Sequence, residues 1–326
     1  MNDIKKIINK YNKSKILFTA GPASLIDENV KNLKPCFGRG DKDYLITEKR
    51  VLKKINKIAG NFKNIVCNQG SGSLAIEIAA KNFLFGKILV INTGYYSDRI
   101  KYILSKIQKE NLKNIKKITE INWDKIDEIS EKFDWIFCCY TETSMGLKLS
   151  ISEIKKLSKR TSSKIMLDAT GSIGLESNHN VADVITFSSC KGLFGLTGAS
   201  FICFDPKPIN EVNSFYLDIN THINKKVTGP YHTIYSLDKV LEKHEIYKYA
   251  VKVNKEKALI KWKNYLSKKT KNQPLLCTHV KKTILVKNKK VIMYQPRVKI
   301  DGNIICHLGE VHLGKKSKGQ ILDYLS

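Results

Sequence analysis

Long apolar runs are missing from this chain of 326 residues, and other absences narrow it further. No stretch approaches the roughly 20 apolar residues of a membrane-spanning helix, and charges through 1–15 leave no run of signal-peptide length. A cytoplasmic protein with no membrane partner is expected. The 8 cysteines include no Cys-x-x-Cys; Cys138 and Cys139 are the one close pair. Neither a zinc ribbon nor a disulfide framework is indicated, and no metal is expected. Internal repeats and low-complexity linkers are absent. Acidic residues are scarce, 30 Asp and Glu against 57 Lys and Arg, for a formal net charge of +27. Such an excess raises the question of nucleic-acid binding. The lysines, however, are spread along the chain in pairs such as Lys5-Lys6, Lys53-Lys54, Lys116-Lys117 and Lys281-Lys282. With no basic arm and no nucleic-acid motif, they read as a solvated surface that also favours an anionic substrate or a phosphorylated cofactor.

What is present describes a folded protein. A hydrophobic fraction of 42% and a charged fraction of 27% are ordinary for globular chains, and the length suits two domains. A basic helix over 1–15 leads into Ile16-Leu17-Phe18-Thr19-Ala20-Gly21-Pro22, then a loop with Gly38 and Gly40 and a helix over 44–59. Short apolar strands then alternate with helices: strands at 64–67, 87–92, 135–140, 164–168, 184–187 and 200–204, and helices at 73–85, 97–109 and 151–159. Continuous apolar strands separated by helices predict an α/β domain with a mainly parallel sheet covered on both faces. Beyond about Tyr235 the pattern changes to long lysine-rich helical segments (237–265) and strand-like runs at 283–286, 291–294 and 303–306. Asp301-Gly302 is expected to turn a hairpin between the last two of these. The division expected is an arm at 1–15, a large domain at 16–235 and a small α+β domain at 236–326.

In open parallel sheets ligands bind beyond the carboxyl ends of the strands, so the loops there carry the functional candidates. Gln69-Gly70-Ser71-Gly72-Ser73 opens into a helix, and its small residues, first-turn amides and hydroxyls suit a phosphate. An ordinary Gly-Ser loop with Ser73 as N-cap is the plain alternative; no Gly-Lys-Ser/Thr follows, so it is not a nucleotide P-loop. In Asn92-Thr93-Gly94-Tyr95-Tyr96-Ser97-Asp98-Arg99 an aromatic ring precedes a helix and would lie against a planar group, although simple packing serves equally. Tyr140-Thr141-Glu142-Thr143-Ser144-Met145-Gly146 is rich in hydroxyls. Asp168 ends a strand, where it would hold a protonated heterocycle nitrogen or else cap the next segment. Lys191 follows a buried strand among small polar residues and precedes Gly192, Gly195 and Gly198, a setting that makes its amine available for imine formation.

Together these loops resemble the class V aminotransferases of the pyridoxal-phosphate (PLP) fold type I, and within them the 2-aminoethylphosphonate:pyruvate branch. Phe18 to Pro22 resembles that branch's Thr-Pro-Gly-Pro opening, Val90 to Tyr96 its Val-Ile-Asn-Asn-Gly-Ala-Tyr, and Ser188-Ser189-Cys190-Lys191 its Ser-Ala-Asn-Lys, over about 17–237. The resemblance implies PLP as cofactor, with Lys191 as the Schiff-base lysine and proton carrier and Asp168 against the pyridine nitrogen. It implies Tyr96 stacked on the ring and Ser71, Gly72, Ser73 and Ser188 around the phosphate. Thr143 would stand near the ring's phenolic oxygen, and Thr228 would reach a neighbouring subunit's phosphate in a homodimer. The implied activity is amino transfer between an amino acid, in an alanine/pyruvate pair, and an aldehyde such as phosphonoacetaldehyde, in phosphonate metabolism. Alanine:glyoxylate or serine:pyruvate transfer, or a PLP decarboxylase or lyase on a phosphorylated amino acid, are the enzymatic alternatives; a basic binding protein on a retired enzyme fold is the other. Where the branch has Phe-Arg-Ile-Gly, this chain has Cys306-His307-Leu308-Gly309, and its small domain is shorter. Substrate contacts therefore fall on Gly21, Arg39, Arg297 and His307 as candidates.

Overall fold

The computed structural model describes residues 2–12, 14–21, 25–31, 33, 38, 40–110, 114–312 and 320–326. Arg39 and Pro22 lie outside them. The chain opens on helix α1 (Asn2–Asn12), strand β1 (Ile16–Phe18), a short α2 (Asp27–Lys31) and α3 (Lys42–Ala59). Asp41 caps α3 by accepting from the Asp43 amide at 2.9 Å, and Gly60, at φ 114°, ends it. Its buried Val51, Ile55 and Ala59 recur at the helical spacing.

Next come β2 (Asn64–Gln69), α4 (Gly72–Phe83), β3 (Gly86–Asn92), α5 (Tyr95–Glu110), β4 (Ile115–Asn122) and β5 (Trp135–Cys139). After the two-residue strands β6 (Thr141–Glu142) and β7 (Leu147–Lys148) follow α6 (Ile151–Thr161), β8 (Lys164–Asp168), β9 (Val184–Ser188) and β10 (Ala199–Phe204). Seven of these strands form one sheet in the order β2-β10-β9-β8-β5-β3-β4. Strand β10 is antiparallel to both neighbours and the other pairings are parallel. The inner strands β3, β5, β8, β9 and β10 are largely apolar because both faces are buried. Leu89, Ile91, Ile136, Cys138, Ile165 and Leu167 face a core shared with α3 and α6. Ile88, Val90, Trp135, Phe137 and Met166 face a second core shared with α4 and α5. This is the mainly parallel α/β sheet that the apolar runs predict.

The remainder comprises α7 (Ile219–Ile223), α8 (Tyr231–Glu242), α9 (His244–Lys261), β11 (Cys277–Val280), β12 (Val291–Met293), β13 (Asn303–Cys306) and α10 (Gly309–His312). The helical segments expected over 237–265 fall in α8 and α9, which meet at Lys243, where His244 Nε2 lies 2.9 Å from the Gly192 carbonyl oxygen. The strand expectations need correction. The expected 291–294 to 303–306 hairpin does not form. Strand β13 pairs antiparallel with β11, which the sequence pattern did not reveal, and β12 pairs in parallel with β1. The Asp301-Gly302 turn belongs to β11: His279 Nε2 is 2.7 Å from the Asp301 carbonyl, and a Cβ on Gly302 would lie 2.0 Å from the Val280 carbonyl. Residues 283–286 form no strand, only a bridge from Val286 to Leu325.

Candidate active site

Strand β2 runs in the same sense as the parallel strands, since two antiparallel steps separate it from β9. The carboxyl ends of β2, β3, β5, β8 and β9 therefore share one edge of the sheet, where a pocket of about 180 Å³ opens. Its walls bring together Ser71, Gly72, Ser73, Tyr96, Asp168, Ser188 and Lys191, candidates drawn from four separate loops.

The turn from β2 into α4 builds one end. Ser71 is the N-cap of α4, and its side chain makes no capping bond, so Ser73 is not the cap. The Leu74 amide bonds the Ser71 carbonyl at 3.0 Å, while the amides of the first turn point out of the helix as donors under its positive end. Glycine is required at 72: a Cβ there would lie 2.7 Å from Thr170 Oγ1.

A buried carboxylate sets the start of α5. Glu142 Oε2 accepts from the Tyr96 amide at 2.9 Å, and Oε1 accepts from the Ser144 amide at 3.1 Å. Burial pushes the Glu142 carboxyl above its ordinary range, and these bonds hold it back. Ser97 Oγ accepts from the Thr93 and Gly94 amides at 2.8 and 2.9 Å. The helix thus begins at Tyr95, two residues earlier than its sequence pattern suggests, and fixes the Tyr96 ring in the pocket wall.

Asp168, 4% exposed, accepts from the Thr170 amide at 2.9 Å. The Lys191 amine lies 5.2 Å from the centroid of the Tyr96 ring. Its loop is tied down by Ser189, which donates to the Ala199 carbonyl at 3.1 Å, and by Gly192, where a Cβ would lie 2.1 Å from the Ile173 carbonyl. A carboxylate, a primary amine, an aromatic face and an anion cradle thus enclose one volume.

Other candidates lie elsewhere. Thr143 is fully buried and does not line the pocket, and its hydroxyl has no hydrogen-bond partner. Gly21, at φ 114°, does not line the pocket. Arg297 does not line the pocket; its Nη1 donates at 3.2 Å to the hydroxyl of Tyr95, the neighbour of the pocket-lining Tyr96. The guanidiniums of Arg297 and Arg99 hold the exposed Tyr95 phenol below its ordinary pKa. Thr228 is exposed beside another groove, lined by Tyr44, Cys67, Val227 and Tyr231. His307 does not reach the pocket. It is fully buried, 2.9 Å from Thr278 Oγ1 and 3.2 Å from the Asn254 amide nitrogen, and burial next to Lys255 takes its pKa well below the usual range. A neutral imidazole there gives no anion clamp.

Arg99, Cys139, Thr141 and Thr170, which no sequence motif marks as site residues, also line the pocket. Arg99 was findable, since it follows Tyr96 by three residues and shares its helix face. The other three adjoin strand ends and carry no pattern of their own.

Fold and pocket together define a ligand-binding α/β enzyme with a lysine and an aspartate at the sheet's carboxyl edge. The aminotransferase class-V family description matches residues 46–242, and the chain belongs to that family: it is a transaminase. It is 24% identical over 256 residues to a 2-aminoethylphosphonate–pyruvate transaminase of Pseudomonas aeruginosa, covering 72% of this chain and 69% of that one. An uncharacterized aminotransferase of Methanocaldococcus jannaschii is 25% identical over 172 residues, 49% of this chain and 43% of its own. Among solved structures, a phosphoserine aminotransferase of Cytophaga hutchinsonii superposes with a TM-score of 0.74 at 15% identity, over 95% of this chain and 98% of that one. For the pyridoxamine-pyruvate aminotransferase of Mesorhizobium loti the values are 0.73 and 17%, over 94% and 88%.

Proposed function

We propose that the pocket holds pyridoxal 5′-phosphate and that the chain moves an amino group between an amino acid, in an alanine/pyruvate pair, and an aldehyde such as phosphonoacetaldehyde. The observation that carries this reading is that Lys191 and Asp168 line the same pocket as the first turn of α4. The fit is supported by unsatisfied groups: Thr141 Oγ1 and Thr170 Oγ1 are buried at the pocket without partners, as a site for a polar ligand requires. Gly72 also keeps open the space that a side chain would fill.

When bound, the cofactor supplies an electron sink for the pair left on the substrate Cα. Lys191 contributes the amine that takes and returns the Cα proton, and the Asp168 carboxylate keeps a ring nitrogen protonated. Tyr96 supplies a flat face; Ser71, Gly72, Ser73 and Ser188 bind the phosphate. Thr143 belongs in this reading to the ring's hydroxyl side, with its buried, unpartnered hydroxyl as the supporting feature. Arg297, bonded to Tyr95 beside the pocket-lining Tyr96, is the candidate for the anionic end of the substrate, with Gly21 and Arg39 on the chain's opening segment. The buried, neutral His307 favours keeping a second reading, in which the acceptor is glyoxylate or another small keto acid.

Thr228 on an exposed segment suits a homodimer with shared sites. Among the described residues every cysteine is free, which suits the reducing cytoplasm. We divide the chain at 1–15, 16–235 and 236–326, with β1 paired across the second boundary to β12.

Purified protein is expected to be yellow and to lose its visible band in Lys191→Ala; a colourless wild type with no affinity for the cofactor refutes the assignment. Single-turnover conversion with 2-aminoethylphosphonate, alanine and other amino donors then identifies the substrate. No half-reaction with 2-aminoethylphosphonate, against a clear one with another amine, rejects the phosphonate acceptor.

A further inference from the structure

Arg99 stands half-buried on α5 in the pocket wall. Its Nη1 donates to Ser73 Oγ at 3.0 Å, and its guanidinium carbon lies 4.9 Å from the centroid of the Tyr96 ring and 5.4 Å from that of Tyr95. Among the described residues no carboxylate lies within ion-pair distance of it. The acids nearby are engaged elsewhere: Asp98 accepts from the Asn92 side chain at 3.3 Å, Glu142 from the amides that open α5, and Asp168 from Thr170.

The groups around Arg99 make this arrangement incomplete. Ser73 lies in the first turn of α4, so the guanidinium points at the positive end of a 12-residue helix. The ammonium of Lys191 shares the Tyr96 ring with it at 5.2 Å. Three positive features thus converge on a pocket whose lining holds one carboxylate, Asp168, and the Thr141 hydroxyl, 1% exposed as a residue, is buried there with no partner. Ser73 accepts from Arg99, so its own proton remains to be donated. Guanidinium, hydroxyl and helix amides form a set of donors only, which complements a dianion with several acceptor oxygens.

We propose that Arg99 is a direct ligand of the cofactor's phosphate ester, completing the cradle of Ser71, Gly72 and Ser73 with a charged hydrogen bond. The inference rests on the cofactor assignment above. An anionic substrate group presents the same chemistry to an arginine, so the test must separate the two sources.

Pyridoxal has the same ring and aldehyde without the phosphate. Apoprotein of the wild type, Arg99→Gln and Arg99→Lys is titrated with pyridoxal phosphate and with pyridoxal, following the visible band and the thermal midpoint. In Arg99→Gln the dissociation constant for the phosphate ester rises about 10- to 100-fold, the size of a lost charged hydrogen bond. Arg99→Lys recovers part of that loss, and pyridoxal binds all three proteins within about twofold, because the ring contacts are untouched. Inorganic phosphate competes with the phosphate ester in the wild type and more weakly in Arg99→Gln. Equal weakening of both ligands overturns the proposal in favour of a role in holding Tyr96. Unchanged affinity for both, with the loss confined to half-reactions of anionic amino donors, overturns it in favour of substrate binding. A wild type that binds neither ligand removes the cofactor assignment itself, a result distinct from both. Should Arg99→Gln fail to fold, the ratio of the two affinities in Arg99→Lys gives the same decision.

Discussion

A single methyl group is enough to test the cradle. Alanine is a better helix residue than glycine at the start of α4, but its Cβ at position 72 would meet Thr170 Oγ1 at 2.7 Å and close the space beside Ser188. Gly72→Ala is therefore expected to keep its thermal midpoint within a few degrees while its affinity for pyridoxal phosphate falls about tenfold or more, from the loss of one or two cradle hydrogen bonds. Unchanged affinity would place the phosphate elsewhere. Lys255 provides a second test at this scale. Burial lowers its pKa to about 7, although its ammonium donates to the Cys277 carbonyl at 2.7 Å and to Thr278 Oγ1 at 2.8 Å. In the unfolded chain the same lysine titrates near its ordinary value, about 10.4. Between the two pH values the unfolded state binds more protons, so stability rises with pH through this window. The stability of the wild type relative to Lys255→Met is expected to grow from pH 7 to pH 9 in urea titrations; a flat difference would mean that the lysine stays charged. Residue types at strand ends made Lys191 and Asp168 readable in the sequence, because their chemistry depends on a position that local pattern reveals. The burial of His307 was not readable, since it results from packing between α9, β11 and β13 that no local pattern encodes.

Among the elements, those whose burial is two-sided were legible and those whose pairing is set by distant partners were not. Strands β3, β5, β8, β9 and β10 stand out as apolar runs because each faces both cores. Strand β4 lies at the sheet edge with Lys116 and Lys117 exposed, so its residues read as a polar connection. Strands β11 and β13 form a pair over an intervening segment that contains β12, and nearest-neighbour hairpin logic picks the wrong partner for β13. The turn that fooled it is also the place to check the observed pairing. Gly302 has φ 80° and packs against the end of β11, so Gly302→Ala is expected to cost about 1–3 kcal/mol through strain and steric displacement. The urea midpoint of unfolding measures it. A loss of only a few tenths would argue that the turn hangs free of β11. The start of α5 makes a similar point: Glu142 reaches it from β6, and its capping role follows from a contact 46 residues away along the chain.

At the scale of the whole molecule, one apolar region outside the cores has no role in the folded chain as described. On α3, Leu45 is 45% exposed and Ile46 61%, and across the neighbouring groove Ile223 on α7 is 43% exposed. Leu45 and Ile223 line this groove, which has a volume of about 390 Å³ and mixes apolar walls with Glu48, Lys63 and Lys225, and Ile46 adjoins Leu45 outside it. Glu48 and Lys225 pair there, while Leu45 and Ile223 stay in water. Exposed apolar patches of this kind mark association surfaces, and a self-complementary surface on one chain generates a two-fold dimer. Thr228, which the dimeric reading sends to a neighbour's phosphate, follows directly along the chain from this groove. Wild-type protein is therefore expected to sediment as a dimer, and Ile46→Glu or Ile223→Glu to shift it toward a monomer at micromolar concentration. If the sites are shared, the same variants bind pyridoxal phosphate more weakly as the protein is diluted, whereas the wild type does not over that range. A monomeric wild type with full cofactor affinity would separate the site from any partner and assign Thr228 to the surface.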